Sequence, residues 1–362
     1  MAELDRLLTA LKEQKGSDLH LVAGAVPKMR AKGGIVPIDG WPVLSHDTLM
    51  HMLEELPPTH QWQQYLNEYD LDFAYALPGV ARFRANYFGQ ENGAAAVFRI
   101  IPEKIIPLED LKVPAVIESF AHLNQGLVLV TGPTGSGKST TLAGIIDKIN
   151  TTYAKHIVTI EDPIEFVHPS KKCIISQREV RRDTGTFGAA LRAAIRQDAD
   201  VILVGEMRDY ETISLALTAA EMGALVFGTL HTNSAAKTVD RLIDTFPADE
   251  QQQARLTLSE SLAGIVSQLL LKTADGQGRC AVNEVLVRTS GLPNLIREGN
   301  TPMMVSLMQS GQAQGMQLMD DALMKYVNEG RIRPEDAYMK ALEKPRFEKL
   351  LNKDKDKDDG HF

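Results

Sequence analysis

At 362 residues the chain is longer than one ordinary domain and suits two, and its 44% apolar and 24% charged residues are those of a globular protein that can bury a large core. A formal net charge of −8 argues against a nucleic-acid backbone as the main partner, because that partner favours a basic surface. The two cysteines, Cys173 and Cys280, exclude a disulfide framework and a four-cysteine zinc site by count.

The first residues, Met-Ala-Glu-Leu-Asp-Arg, lack the layout of a secretory signal, and no run approaches 18 apolar residues. A cytosolic chain is expected, reaching a membrane only through partners. Residues 2–15 set Leu4, Leu7, Leu8 and Leu11 at helical spacing, and Ser17 to Val22 reads as a strand. A Gly/Pro-broken meander runs to Gly40, and a helix follows Ser45 with Leu49, Met52 and Leu53 on one face. Asp70 to Tyr75 and Ala81 to Phe88 alternate with period two around Pro78-Gly79, as hairpin strands do; Ala94 to Ile101 reads as a third. Residues 1–105 are therefore expected to form a small α+β domain.

Pro102, Pro107 and Pro114 punctuate 106–125, read as a linker with a short helix. Strands are then predicted at 127–131, 156–160, 201–205 and 225–230, and helices at 138–151, 186–198 and 209–222. That alternation predicts an α/β domain with a mostly parallel sheet covered on both faces. A further amphipathic helix is expected over 249–271, and others over 314–329 and 334–343, with Pro334 in a first turn. The ATPase-like domain is thus bounded at 126–345. Residues 346–362, ending in the charge run Lys353 to Asp359, are expected to be disordered.

Between the first of these strands and its helix lies Gly132-Pro133-Thr134-Gly135-Ser136-Gly137-Lys138-Ser139-Thr140, which satisfies GxxxxGK[ST]. Glycines let successive backbone N–H groups converge on phosphate oxygens at a helix N-terminus. Lys138 can then reach the β- and γ-phosphates of ATP, and the Ser139 hydroxyl can hold Mg2+.

A phosphate loop needs groups that hold the metal and orient water. Glu206 closes the apolar run Val201-Ile-Leu-Val-Gly at the strand edge where ligands bind in such sheets, and is the candidate metal carboxylate; a surface glutamate is the competing reading. Glu161, Asp162 and Glu165 crowd the end of another strand, where they could polarise water or simply form an acidic, proline-containing loop. His231, in Gly228-Thr-Leu-His-Thr232, also closes a strand and could sense the γ-phosphate or be structural.

Taken with Gly16-Ser-Asp-Leu-His20, Val80-Ala-Arg-Phe-Arg84, Glu161-Asp-Pro-Ile-Glu-Phe-Val-His168, Gln177-Arg-Glu-Val180 and Val204-Gly-Glu-Met-Arg-Asp209, these strings give a chain that resembles the secretion ATPases. The resemblance is nearest to the PilT-type retraction ATPases of the type IV pilus, from about Leu4 to Leu342. It implies an N-terminal PAS-like domain, a RecA-like ATPase domain and a homo-hexameric ring. It implies Glu165 as the residue activating water, Glu206 as the Walker B carboxylate and His231 as a histidine-box residue. Arg82, Arg84 and Arg99 match arginines that approach the nucleotide, though ion pairing to structural carboxylates is the alternative for them.

The implied partners are an inner-membrane platform protein, indirectly pilin, and a PilU-like ATPase, with no nucleic acid. The implied place is cytoplasmic, peripheral at the inner membrane. Two positions depart from the family: Ala224 stands where a first box histidine is expected, and Gly291-Leu-Pro293-Asn-Leu-Ile-Arg-Glu298 has proline in place of an arginine. A PilU-like accessory role, a pilus-assembly or secretion ATPase, and a RecA-like nucleic-acid translocase are the rival readings.

Overall fold

Leu4, Leu7, Leu8 and Leu11 are fully buried, so the helix Glu3–Glu13 turns its apolar stripe inward, as the spacing predicts. The computed structural model describes residues 3–31, 34–101 and 104–358. It divides into two compact units, Met1–Lys104 with Pro163–Val167, and Ile105–Asp162 with His168–Phe362.

The first unit is built on strands β1 (Asp18–Val22), β2 (Lys28–Ala31), β3 (Gly34–Pro37), β4 (Asp70–Leu77), β5 (Ala81–Gln90) and β6 (Gly93–Ile101). They form one antiparallel sheet in the order β3-β2-β1-β6-β5-β4. Its inner face sets Leu19, Leu21, Phe83, Ala85, Tyr87 and Phe98 against the helices Glu3–Glu13, His46–Glu54 and Thr59–Glu68. Tyr87 meets Phe73, Phe98 and Tyr65 edge-on, and its hydroxyl donates to the Leu53 carbonyl. Side chains alternate across a strand, so Arg82 and Arg84 lie on the other face from Phe83 and Ala85. Arg99 pairs with Arg84 in register and shares that face.

The second unit adds β7 (Gly126–Thr131), β8 (His156–Glu161), β9 (Ile174–Glu179), β10 (Val201–Val204), β11 (Leu225–Leu230), β12 (Leu262–Lys272) and β13 (Arg279–Val287). The order is β13-β12-β7-β11-β10-β8-β9, parallel throughout except for the antiparallel β12–β13 pair. All six residues of β7 and of β11 are buried, as a strand covered on both faces requires. One face packs the helices Phe187–Ala194, Tyr210–Glu221, Ala235–Ile243 and Gln251–Ser261. The other packs the helix Lys138–Thr152.

Several expectations are corrected. The stretch 249–271 is a helix only to Ser261; from Leu262 it is β12, buried on both faces beside β7. A strand with two buried faces is apolar throughout, and its pattern cannot be told from a buried helix by periodicity. The supposed linker 106–125 carries Leu108, Ile117 and Phe120 into the core of the second unit. The tail expected to be disordered is helical over Lys344–Asp358, anchored by the fully buried Phe347; residues 359–362 lie outside the described residues. Among the described residues no helix is long and apolar enough to cross a membrane.

Candidate active site

β7 ends at Thr131, and the helix Lys138–Thr152 starts after the glycine-rich turn. Gly132, Gly135 and Gly137 have φ of 143°, 77° and 86°, a region open to glycine but strained for other residues. A side chain at Gly132 would overlap the Gln268 carbonyl, and one at Gly137 would press on the Gln268 amide nitrogen at 2.9 Å. The Gly132 amide donates to the Leu230 carbonyl at 3.3 Å, which ties the loop to the end of β11. Lys138 Nζ donates to the carbonyls of Gly132 at 2.8 Å and Pro133 at 3.2 Å, so its ammonium lies across the loop.

These features fit a polyphosphate. The turn shapes the backbone that would cradle phosphate oxygens, at the positive end of a 15-residue helix. The Ser136 hydroxyl is buried with no partner among the described residues. Among those residues no cluster of three His, Cys, Asp or Glu could hold a metal by itself. Magnesium commonly takes one or two protein oxygens and completes its shell with water and phosphate, a demand that Ser139 and Glu206 suit.

The parallel register brings the ends of four strands to one edge: Thr131 lies beside Leu230, and Val204 beside both Gly228 and Ile160. Glu206 and His231 follow directly, and His231 Nε2 lies 3.0 Å from Glu206 Oε1. Arg208 donates to the other carboxylate oxygen of Glu206 at 2.6 Å. Burial pushes the Glu206 pKa up, but Arg208 and then His231 outweigh it and leave the carboxyl below its ordinary value. Glu206 is thus ionised at neutral pH. Behind it Thr229 Oγ1 donates to the Gly205 carbonyl at 2.5 Å, and the Met207 amide to the Thr229 carbonyl at 3.0 Å, fixing the turn. Glu161 accepts from Thr159 Oγ1 at 2.7 Å and Gln177 Nε2 at 3.3 Å, and Asp162 accepts from Arg181 at 3.2 Å.

Glu165 is half-buried in Pro163–Val167, the segment that divides with the first unit. In the first unit Arg84 grips Asp72 with two bonds, at 3.2 and 2.5 Å, and Arg99 donates to Asp18 at 2.7 Å. The ion-pair alternative therefore applies to at least these two of the three arginines. Ala224 precedes β11 whereas His231 follows it, so Ala224 lies at the opposite sheet edge from the loop. About 20 Å of strand separates them. Pro293 occupies the first turn of the helix Leu292–Glu298, where a proline costs no hydrogen bond.

One residue at the loop escapes the sequence reading. Gln268, on β12 and 1% exposed, donates to the Ser136 carbonyl at 2.6 Å and accepts from Thr141 Oγ1 at 2.8 Å. The β-branched pair Ile265-Val266 after Gly264 was the available sign that a strand, not a helix, passes there.

A family model described as type II/IV secretion system protein matches residues 74–293. The chain is 50% identical over 339 residues to the type IV pilus retraction ATPase PilT of Pseudomonas aeruginosa, covering 94% of this chain and 98% of that protein. Its identity to the type IV pilus ATPase PilU of the same organism is 40%, covering 92% and 87%. A crystal structure of the pilus retraction motor PilT with bound ADP superposes with a TM-score of 0.88 at 44% identity, covering 96% and 98% of the two chains.

Proposed function

The chain belongs to the type II/IV secretion system protein family, and we propose that it is the ATP-hydrolysing motor that drives retraction of a type IV pilus. The glycine loop after β7, with Glu206 and His231 on neighbouring strands, is the observation that carries the ATPase reading. The retraction reading draws on likeness to PilT, which at 50% identity exceeds that to PilU at 40%. An accessory role of the PilU kind is the second reading, favoured by the departure at Pro293.

In the proposed reaction the loop amides and the Lys138 ammonium hold the triphosphate and offset charge that develops on the transferred phosphoryl group. Mg2+, when bound, neutralises phosphate oxygens as a Lewis acid. Ser139 and the ionised Glu206 are the residues that would hold it. His231 orients the Glu206 carboxylate through the 3.0 Å contact. Glu165 takes the role of aligning the attacking water, and an arginine among Arg82, Arg84 and Arg99 that of meeting the γ-phosphate. Hydrolysis would then turn one domain against another in a homo-hexamer, working on an inner-membrane platform protein and, through it, on pilin. The motor would sit on the cytoplasmic side of that membrane.

Lys138→Ala should abolish turnover, and normal hydrolysis by that variant would refute the site. For the cellular role, a deletion strain should be hyperpiliated and unable to twitch. Bald cells would point to pilus assembly, and normal retraction to an accessory part.

A further inference from the structure

A buried amide side chain from β12, that of Gln268, meets the phosphate loop. Gln268 Nε2 donates to the Ser136 carbonyl at 2.6 Å, inside the loop. Its Oε1 accepts from Thr141 Oγ1 at 2.8 Å, in the first turn of the following helix, and from Asn283 Nδ2 at 3.0 Å, on β13. The orientation of the amide is fixed, because the Ser136 carbonyl can only accept. Asn283 is held in turn, since Gln317 Nε2 donates to its carbonyl at 2.6 Å. Thr131 Oγ1 and Ser267 Oγ, 2.7 Å apart, clamp β7 to β12 one residue earlier. The glycines at 132 and 137 are shaped around the same residue, whose carbonyl and amide nitrogen fill the space that side chains there would need.

We propose that Gln268 is the positioning residue of the nucleotide site, setting the loop backbone in the form that binds phosphate. It touches no phosphate itself. Its hydrogen bonds join the loop to the helix behind it, and both to the β12–β13 pair. Without them the Ser136 carbonyl is buried with no donor, a cost that a shift of the loop relieves. A loop free to shift must be ordered by each nucleotide it binds, so the loss falls on affinity for ATP and ADP alike. Chemistry on a nucleotide already held is affected much less.

Gln268→Met keeps the length of the side chain but removes the donor to the Ser136 carbonyl and the acceptor for Thr141 and Asn283. For the full-length protein, fluorescent mant-ADP affinity and the KM for ATP should weaken about 10-fold or more, with kcat at saturating ATP within about 3-fold of wild type. Asn283→Ser leaves the loop contact and removes only the bond behind it, so it should weaken affinity by about 2- to 5-fold with kcat unchanged. An affinity within 2-fold of wild type for folded Gln268→Met overturns the proposal. Should that variant not fold, unchanged affinity in Asn283→Ser overturns it. The inference rests on the nucleotide reading of the loop, and the two fail separately: wild-type protein that does not bind mant-ADP sinks that reading, whereas normal binding by the variants sinks only the role of Gln268.

Discussion

His231 Nε2 lies 3.0 Å from Glu206 Oε1, joining the ends of two strands that are neighbours in the sheet. The contact orients the carboxylate, and Arg208 keeps it ionised beside the histidine. Glu206→Gln should lower kcat by about 100- to 1,000-fold while mant-ADP binding, which the loop backbone supplies, stays near wild type. His231→Ala should cost about 10-fold, and the double variant no more than Glu206→Gln alone, because the histidine acts through that carboxylate. Steady-state turnover of the three variants decides it. Losses that multiply would show that His231 acts independently.

Glu284 is a buried carboxylate whose two oxygens serve two helices. It accepts from the Ala235 amide at 2.7 Å and from the Met319 amide at 3.1 Å, at the starts of Ala235–Ile243 and Met319–Asn328. Burial raises its pKa despite those bonds. A raised carboxyl pKa means the folded state holds its proton longer. Stability from this group therefore falls as pH climbs from the ordinary glutamate value through the raised one. Glu284→Gln removes that pH dependence but turns an NH2 toward one of the amides. It should lose about 1–3 kcal/mol at pH 7, read as a lower melting temperature, and vary less than wild type between pH 5 and 8.

Gly264 marks where β12 passes Phe120. A methyl group there would overlap the Phe120 ring and lie 3.1 Å from the Leu286 carbonyl. Both neighbours are buried and Phe120 is 2% exposed, so neither yields easily. Gly264→Ala should cost about 1–3 kcal/mol in urea denaturation. A neutral effect would mean that the ring can move aside.

The phosphate loop was legible because its chemistry demands residue types at fixed spacing, and the strand and helix around it announce themselves by period. Glu206 and His231 were legible for a related reason, since each closes an apolar run and parallel strands end at one edge. Gln268 was not. Its contact to Ser136 spans 132 residues, and the strand that carries it is buried on both faces and runs on from a helix without a turn. The α+β character of the first unit followed from its alternating strands, but the helix Thr59–Glu68 did not, because its buried face is Gln61, Trp62 and Tyr65 rather than an aliphatic stripe. The helical tail was hidden by its charge, although Phe347 anchors it from within.

His168 gives the second unit a built-in sensitivity to acid. It is 6% exposed, its backbone amide donates to Gln177 Oε1 at 2.7 Å, and its Nδ1 is buried with no partner among the described residues. Burial depresses its pKa to about 4; the charges of Asp147 and Lys171, themselves paired at 2.6 Å, pull in opposite directions. The unfolded chain takes up a proton near pH 6.5, while the folded one resists until about pH 4. The stability this group contributes is whole above pH 6.5 and is lost as pH falls, by about 2 kcal/mol at pH 5 and about 3 kcal/mol once the folded pKa is passed. His168→Phe keeps an aromatic ring and removes the titration. Between pH 7 and pH 5 wild type should therefore lose about 2 kcal/mol more than the variant in urea denaturation. Equal losses in the two proteins would show that the ring is hydrated or finds a partner when protonated.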